Sequence, residues 1–600
     1  MMESLRKAFR VCGWGSLILA SLLVLGGCKK KNKYKGKRVL RIPVQADVGG
    51  MDPMLLGSLY DSATSAQVIE PLLEYNYVAR PYKVQPLLVK SLPTKSKDGL
   101  TYSFELKKGI FFHDNVCFKG GKGRELEAKD VVYSYKRLAN RGHNPSPRSW
   151  WIFDKRIAGL NKFRKEQYKL VKSGKPFNYD APVEGLKVLD KYKFQIKLTK
   201  RFPQFLYILA FQRSGIVPRE CVDYYSKNNR GGLTQNPVGT GPFLFKKWIK
   251  GVRIVFERNT KYKHSVYPTD GFSKQDIAEG LDKVKGQALP QSDVLIIHIF
   301  QKYQPSWLKF RRGGLDYITV GTEVFDTVYT KDLKIQPDFA KKGISTRIIK
   351  LMDFIYTGFN FKDKLLGGYG EKARYLRQAL TLAIDYDEIN RRFYNSRVHI
   401  YLGAIPPGMK GHAGARFKPD LKKAKELLAK AGYPKGKGLP TLVISTSNNG
   451  QAKEREDVLK RQFARIGVKV RYDLSTFPQL STKLRTGKTQ MFSLAWSSDY
   501  PDAENNLMLF WGKNSAPGPN SWNYANPKFD ALFEKARLMD DSPERTNMYK
   551  QMNKMLIDDA VFLGSMARRR YYLKTKTVGN FKPDELMGSY WKFLSVPKSK

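Results

Sequence analysis

Residues 236–248 of this 600-residue chain read Asn-Pro-Val-Gly-Thr-Gly-Pro-Phe-Leu-Phe-Lys-Lys-Trp. Pro237 and Pro242 have a fixed φ, and between them lie Gly239 and Gly241, which can adopt a positive φ. An alternating aromatic run follows from Phe243. The pattern predicts a stiff, sharply turned entry into a β-strand. Taken alone, it is equally compatible with an ordinary structural turn.

The N-terminus has the composition of an export signal. Three cationic residues precede an apolar stretch over residues 11–25, which is short for a bilayer-spanning helix. The stretch ends in Leu-Gly-Gly-Cys28, which looks like a bacterial lipobox. We therefore predict a signal peptide over residues 1–27 and lipidation of Cys28. A plain secretory signal and a short anchor helix are the alternatives.

Residues 28–37 are predicted to form the lipid anchor and a basic tether. Six of these ten residues are lysines, and no apolar pattern begins before Val39. Basic residues beside an anionic leaflet contribute about 1 kcal/mol each, and acyl chains with a polybasic patch anchor stably. No later apolar stretch reaches 18 residues, so the chain is expected in the cell envelope, on the periplasmic side, lipid-anchored to a membrane.

Length and composition predict a large globular protein of two or three lobes, with 42% hydrophobic and 13% aromatic residues. The formal net charge is +53, and removal of residues 1–27 leaves +51. Such a charge suggests a nucleic-acid partner. However, the basic residues are spread along the chain, no nucleic-acid-binding motif is present, and export removes the chain from the nucleoid. We therefore expect no nucleic acid as partner, and the reason for the charge stays open.

Hydrophobic periodicity predicts a mixed α/β chain. Alternation predicts half-buried strands at 102–106 and 194–198, and apolar stripes predict helices at 127–139, 376–384 and 421–431, with another helix opening at Ser542 and Pro543. One segment is clearer: a strand at 442–444, a helical stripe at 459–466 and a strand at 468–472. This order predicts a βαβ unit with parallel strands.

The sequence contains no recognisable catalytic motif. No two of the six histidines share metal-ligand spacing, and there is no nucleophile elbow or phosphate-binding loop. The glycine-rich residues 120–123 lack the phosphate-loop spacing and fit a surface turn. We therefore expect a protein that is not an enzyme and has no cofactor and no metal site.

Several blocks resemble one family, the family 5 solute-binding proteins that feed peptide ABC importers. The first is residues 236–248. The others occur in the family's order over some 500 residues: Gly50-Met51-Asp52-Pro53, residues 98–109 with Phe112-His113-Asp114, residues 128–138, Arg377-Gln378-Ala379-Leu380 with Ala383-Ile384-Asp385, and residues 496–502.

The resemblance implies the type II fold of periplasmic binding proteins, an α/β fold with two hinged lobes and an extra domain. Carried over, lobe I comprises 38–56, 186–352 and 568–600. The extra domain is 57–185, and lobe III is 353–567. The chain would cross between the lobes twice, which suits a hinge.

The resemblance also implies ligand-binding residues. In peptide-binding relatives, the aspartate of a Trp-x-x-Asp motif holds the peptide ammonium, and Asp499 matches it, three residues after Trp496. Trp496 would form a wall of the cleft, with Ser498 and Tyr500 beside the aspartate. Phe477 occupies the position of a side-chain platform. An ordinary turn aspartate and a core aromatic are the alternatives.

Other positions depart from the oligopeptide-binding relatives. Ser493 replaces an arginine that meets a tripeptide carboxylate, and a histidine used for longer peptides is replaced near Gln451. The residue that binds the ligand's carboxylate is therefore unassigned, with Arg485 or a lysine as candidates. Peptide length and sequence preference stay open, and so does pairing of Cys117 with Cys221.

The sequence thus predicts a monomeric substrate-binding lipoprotein that captures peptides between its lobes. Its partners would be an inner-membrane ABC permease with its ATPase subunits. One alternative is the same fold with a non-peptide solute such as a metal chelate, haem or a sugar. Another is a basic adhesin or chaperone of the envelope. Which membrane holds the lipid stays open.

Overall fold

The computed structural model describes residues 33–227, 231–448, 451–588 and 590–599. The predicted signal peptide, Cys28 and most of the tether lie outside the described residues. We call residues 353–567 lobe III, and the other described residues the body.

The strands are short and distributed along the whole described chain. They are β1 Val39–Val44, β2 Leu73–Tyr75, β3 Val84–Pro86, β4 Thr94–Lys95, β5 Thr101–Glu105, β6 Leu186–Val188, β7 Lys193–Lys197, β8 Phe243–Ile249, β9 Arg253–Arg258, β10 Val294–Ile299, β11 Tyr317–Thr319, β12 Ile344–Lys350, β13 Asp353–Phe359, β14 His399–Tyr401, β15 Leu442–Ser447, β16 Val470–Ser475, β17 Met491–Ser497, β18 Phe562–Ala567 and β19 Arg569–Thr575.

The helices alternate with these strands. They are α1 Leu59–Ser65, α2 Ala128–Leu138, α3 Leu160–Lys172, α4 Phe205–Ile208, α5 Arg219–Ser226, α6 Gly232–Gln235, α7 Lys274–Ala278, α8 Tyr303–Arg311, α9 Phe325–Val328, α10 Pro337–Lys341, α11 Glu371–Leu382, α12 Tyr386–Tyr394, α13 Leu421–Lys430, α14 Ala452–Ala464, α15 Phe477–Arg485, α16 Glu504–Leu507, α17 Pro527–Ala536 and α18 Pro543–Asp558.

Lobe III is built on one six-stranded sheet in the order β14-β18-β13-β17-β15-β16. The predicted βαβ unit is confirmed: β15 and β16 are parallel, with Leu442 opposite Val470, and α14 connects them. The helices predicted near 376–384, 421–431 and 543 are confirmed as α11, α13 and α18. Ser542 caps the last of these by accepting a hydrogen bond from the backbone N–H of Arg545.

The body contains the remaining sheets, ordered β1-β10-β9-β8, β11-β19-β12, β2-β3 and β4-β5-β7-β6. The strands predicted at 102–106 and 194–198 are confirmed as the antiparallel pair β5 and β7, in which Phe104 lies opposite Phe194. The predicted helix at 127–139 is α2. Apolar side chains of β5, α2 and β1 join one large core.

The hydrophobic cores divide the described chain into two units. The large core of the body draws residues from the predicted lobe I and from the predicted extra domain alike, and Tyr500 is its one member from lobe III. The two cores of lobe III consist of its own residues alone. The extra domain is therefore packed on lobe I as one mass, and its limits at 57 and 185 stay predictions.

The chain passes between the body and lobe III at two adjacent places. β12 leads into β13, and β18 leads into β19, so each pair of strands divides between two sheets. The crossings are hydrogen-bonded to each other, with the N–H of Leu351 donating to the carbonyl of Arg568 at 2.9 Å. Two adjacent strands give the geometry of a hinge.

Residues 236–248 turn sharply into β8, as predicted. The two glycines are required here because they have no side chain, and not because of a positive φ. Neither Gly239 nor Gly241 has a positive φ. A Cβ on Gly239 would lie 2.2 Å from the carbonyl oxygen of Val68, and that same oxygen accepts a hydrogen bond from the N–H of Gly241 at 2.8 Å. The glycines therefore let two backbones approach each other.

Cys117 and Cys221 form a disulfide, which settles a pairing that the sequence left open. It closes a loop between cysteines 104 positions apart and ties the segment before α2 to α5. The predicted extra domain and lobe I are thus joined covalently as well as by their common core.

Candidate functional site

A cavity of about 1440 Å³ lies between the body and lobe III. Its lobe III wall includes Asp353 and residues 497–499, at the start of β13 and the end of β17. The body supplies the opposite wall, including residues 210–213, β12 and residues 582–588. This volume exceeds the roughly 300–1,000 Å³ of typical small-molecule sites. A ligand of several residues therefore fits it.

Asp499 is a half-buried carboxylate on the wall of this cavity. Its Oδ2 accepts a hydrogen bond from Asn505 Nδ2 at 3.3 Å, and it forms no ion pair with any of the described residues. Burial raises its pKa, although the hydrogen bond from Asn505 and the charges of Arg213 and Arg156 act in the opposite direction. A carboxylate in this setting is stabilised by an incoming cation.

Asn505 organises the Trp-x-x-Asp motif. Its Oδ1 accepts hydrogen bonds from the backbone N–H of Asp499 and from Trp496 Nε1, both at 3.0 Å, while its Nδ2 reaches the carboxylate. Asn505 is buried in α16. Asn505 lies three residues beyond the block 496–502, and no feature of the sequence marked it as part of the site.

Ser498 and Tyr500 flank Asp499 in different ways. The Ser498 hydroxyl lines the cavity but lies 2.7 Å from Asn506 Oδ1 and 3.0 Å from the carbonyl oxygen of Met352, so internal partners engage it. Tyr500 is buried and donates to Glu504 Oε2 at 2.6 Å. Its ring stacks on Tyr207 of the body, with centroids 5.7 Å apart, so it contacts the opposite unit.

Trp496 and Phe477 lie outside the cavity lining. Trp496 is half-buried against a core of lobe III. Phe477, the first residue of α15, is 63% exposed. The structure therefore brings Ser498 and Asp499 together on the cavity wall and leaves the wall and platform roles of the two aromatic residues as predictions.

Most cationic side chains of the cavity already have carboxylate partners. Arg80 pairs with Asp584, Lys582 with Asp276, Arg347 with Glu279, Arg568 with Asp353 and Arg570 with Glu585. Arg485, a candidate from the sequence, is exposed and does not line the cavity.

Arg213 differs from these cations. It lines the cavity, and no carboxylate of the described residues lies within 4.0 Å of it. Its Nη1 donates to the carbonyl of Leu56 and to Ser149 Oγ, whereas Nε and Nη2 have no hydrogen-bond partner among the described residues. Burial lowers its pKa. No local motif marks Arg213, since it is almost 290 positions from Asp499 in the chain.

The end of β17 presents an open strand edge beside Asp499. β17 pairs with β13 along its whole length, but it meets β15 only at Met491 and Phe492. Residues 493–497 therefore have one strand neighbour among the described residues, and Ala495 and Ser497 are exposed. Unpaired backbone groups on such an edge can accept an added strand.

Two other features, a metal-binding cluster and a membrane-spanning helix, are absent from the described ranges. Groups of histidine, cysteine and acidic side chains arranged to hold a metal ion are absent from them. The helices described there are also too short or too polar to cross a membrane.

Comparisons with known proteins agree with this geometry. The family model for bacterial extracellular solute-binding proteins, family 5 Middle, matches residues 83–518. The dipeptide-binding protein of Escherichia coli is 26% identical over 519 residues, covering 85% of this chain and 86% of that protein. Heme-binding protein A of Haemophilus influenzae is 25% identical, covering 86% of this chain and 84% of that protein.

Solved structures have the same fold. One is an ABC transporter-associated periplasmic binding protein of Helicobacter pylori, in complex with the peptide STSA. It superposes with a TM-score of 0.66 at 22% identity and covers 95% of this chain and 100% of its own.

Proposed function

The chain belongs to the bacterial extracellular solute-binding proteins of family 5, and we propose that it captures short peptides for an ABC importer. The observation that carries the proposal is Asp499, a half-buried carboxylate on the wall of a cavity of about 1440 Å³, with no ion-pair partner in the described ranges. Proteins of this family bind solutes outside the cytoplasm, and we assign no chemical reaction to the site.

The peptide ammonium is the cation that we assign to Asp499. A charge-assisted hydrogen bond to this carboxylate would satisfy both groups in a closed cleft. The open edge of β17 ends two residues earlier, at Ser497. A peptide whose N-terminus meets Asp499 can therefore run along this edge as an added strand, with its backbone paired and its side chains in the remaining cavity.

Arg213 is the residue that we assign to the carboxylate of the ligand. Its Nε and Nη2, which no described residue engages, can form a fork with a carboxylate, and such a fork suits arginine better than lysine. The guanidinium is fixed by its two bonds from Nη1, so little freedom is lost on binding. This assignment replaces Arg485, which lies outside the cavity lining.

The cellular setting completes the proposal. Lipidation of Cys28 and the basic residues that follow would hold a monomer on a membrane, where it would pass its ligand to a permease with separate ATPase subunits. The hinge at the two crossings would close the lobes around the ligand.

The first experiment identifies the ligand and then tests the ammonium contact. Mass spectrometry of molecules released from the denatured protein supplies a peptide, which is then titrated calorimetrically, with and without N-acetylation. We expect Asp499→Asn to weaken binding of the free peptide at least about 30-fold, because loss of one partner of a buried charge pair costs about 2–5 kcal/mol. N-acetylation should weaken binding to the native protein equally and should leave the variant unaffected.

Asp457→Asn is the matched control, since Asp457 is exposed on α14 and lies outside the cavity lining. A C-terminally amidated peptide and Arg213→Gln form the corresponding pair for the carboxylate. Retention of a non-peptide ligand that is insensitive to Asp499→Asn would contradict the peptide assignment and leave the fold and family unchanged.

A further inference from the structure

A second pocket, of about 230 Å³, adjoins the hinge. We call it the hinge pocket; its lining residues are Thr319, Val320, Leu351, Tyr394, Arg397, Val398 and residues 568–571. Leu351 and Arg568 belong to the two chain crossings, whereas Arg397 comes from lobe III and Thr319 from the body. The hinge pocket therefore touches both units and the strands that join them.

The lining of the hinge pocket includes four arginines, two of which, Arg397 and Arg569, form no ion pair among the described residues. It contains Arg397, Arg568, Arg569 and Arg570 and no aspartate or glutamate. The partners of Arg568 and Arg570, Asp353 and Glu585, line the large cavity instead.

Arg397 and Arg569 have no carboxylate within 4.0 Å among the described residues. Arg569 Nε is buried and has no hydrogen-bond partner in the described part of the chain, and its Nη2 lies 3.4 Å from His399 Nδ1. Burial lowers the pKa of His399, and the positive charge of Arg569 lowers it further. Such a buried donor carries an unfavourable desolvation free energy until an acceptor reaches it.

Arg397 is oriented by neighbours from both units. Its Nη2 donates to Thr322 Oγ1 of the body at 2.7 Å, its Nε donates to the carbonyl of Tyr394 at 3.0 Å, and its guanidinium lies over the ring of Phe325. Burial lowers its pKa, and the charges of Glu323 and Asp326 oppose that shift from beyond ion-pair distance. The guanidinium is thus positioned but not neutralised.

We propose that the hinge pocket binds a small phosphate-class anion. Arginine forks match the oxygens of a phosphate, and Arg397 and Arg569 together offer more donors than a single carboxylate can use. The volume of about 230 Å³ is below the roughly 300–1,000 Å³ typical of larger organic ligands. An anion between Arg397 and Arg569 would join lobe III to the hinge strands. The proposal is independent of what the large cavity binds.

Calorimetric titration of the full mature protein tests the proposal, at constant ionic strength and with orthophosphate, pyrophosphate or a short-chain soluble phosphatidic acid. We expect saturable binding of one equivalent, weakened about tenfold or more by Arg569→Gln and by Arg397→Gln. Equal response to orthophosphate and to the lipid analogue would identify a free anion. Response to the lipid analogue alone would identify a headgroup phosphate.

Arg391→Gln is the matched control, because Arg391 is exposed on the same helix as Tyr394 and does not line the hinge pocket. Thermal unfolding gives a second readout: pyrophosphate should raise the midpoint of the native protein and of the control, but not that of the two variants. If one variant fails to fold, the binding affinity of the other variant still tests the proposal. Absence of saturable binding to the native protein, or unchanged affinity in both variants, would overturn the proposal.

Discussion

Glu70 is a buried carboxylate held by a dense set of donors at the edge of the large cavity. It accepts hydrogen bonds from the hydroxyls of Tyr262 at 2.7 Å and Thr240 at 2.9 Å, and His264 Nε2 lies 2.9 Å away. Burial alone would raise its pKa, but His264, Lys592 and Tyr262 outweigh burial and hold the pKa at about 2. Ionised Glu70 therefore stabilises the fold.

Replacement of Glu70 by glutamine should show this in the pH dependence of stability. The stabilisation is complete above the unfolded pKa of about 4.5 and is lost as the pH falls through about 2. We expect Glu70→Gln to lower the free energy of unfolding by about 3 kcal/mol at pH 7, and the difference to shrink steadily below pH 4.5. Urea unfolding across a pH series measures it.

Glu454→Gln provides the comparison, since Glu454 is an exposed carboxylate on α14. A difference between Glu70→Gln and the native protein that stayed constant from pH 7 to pH 3 would show that ionisation of Glu70 is not its source.

The residues of the site differ in how visible they are in the sequence. Asp499 lies in a short motif with fixed spacing, so the sequence analysis selected it, and the structure places it on the cavity wall. Arg213 reaches the same cavity only through the packing of the body against lobe III. Its sequence neighbours do not distinguish it from the other basic residues of a highly basic chain. Its place in the site is therefore visible only in the three-dimensional structure.

At the scale of the element, Gly239 lets the segment that precedes β8 pack closely against the segment that follows α1. A methyl group there would lie 2.2 Å from a backbone oxygen, which cannot rotate away as a side chain can. We expect Gly239→Ala to destabilise the protein by about 3 kcal/mol or more, because the two backbones must separate.

Gly370→Ala is the control for that substitution, since Gly370 has open space around its Cα and no positive φ. Thermal unfolding of the two variants gives the comparison. Equal midpoints for Gly239→Ala and the native protein would show that the backbone can shift freely at this point.

Elements with local periodicity were predictable, and elements defined by distant contacts were not. The βαβ unit over β15, α14 and β16 followed from two strand patterns and a helical stripe between them. By contrast, the roles of Gly239 and Gly241 depend on Val68, which is some 170 positions away. The local sequence predicted a positive φ at these glycines, whereas the structure shows that they allow two backbone segments to approach each other closely.

For the whole molecule, the contacts between its units predict a change of shape. Tyr207 stacks on Tyr500, and Lys95 Nζ lies 2.6 Å from Asp540 Oδ1, so the body and lobe III touch each other directly. Ligand exchange requires these contacts to break. We expect X-ray scattering to give a smaller radius of gyration with saturating peptide than without it.

Asp499→Asn at the same peptide concentration should keep the larger radius, because the variant binds too weakly to hold the lobes together. Identical scattering of the native protein with and without bound peptide would contradict closure around the ligand.

The disulfide between Cys117 and Cys221 also depends on the redox state of the compartments that each molecule has passed through. Reducing compartments keep such thiols free, and oxidising ones join them. A copy still inside the cell would carry two alkylatable sulfurs at these positions, whereas an exported copy would carry none. Thiol labelling at these two positions would therefore distinguish copies that have been exported from copies that have not.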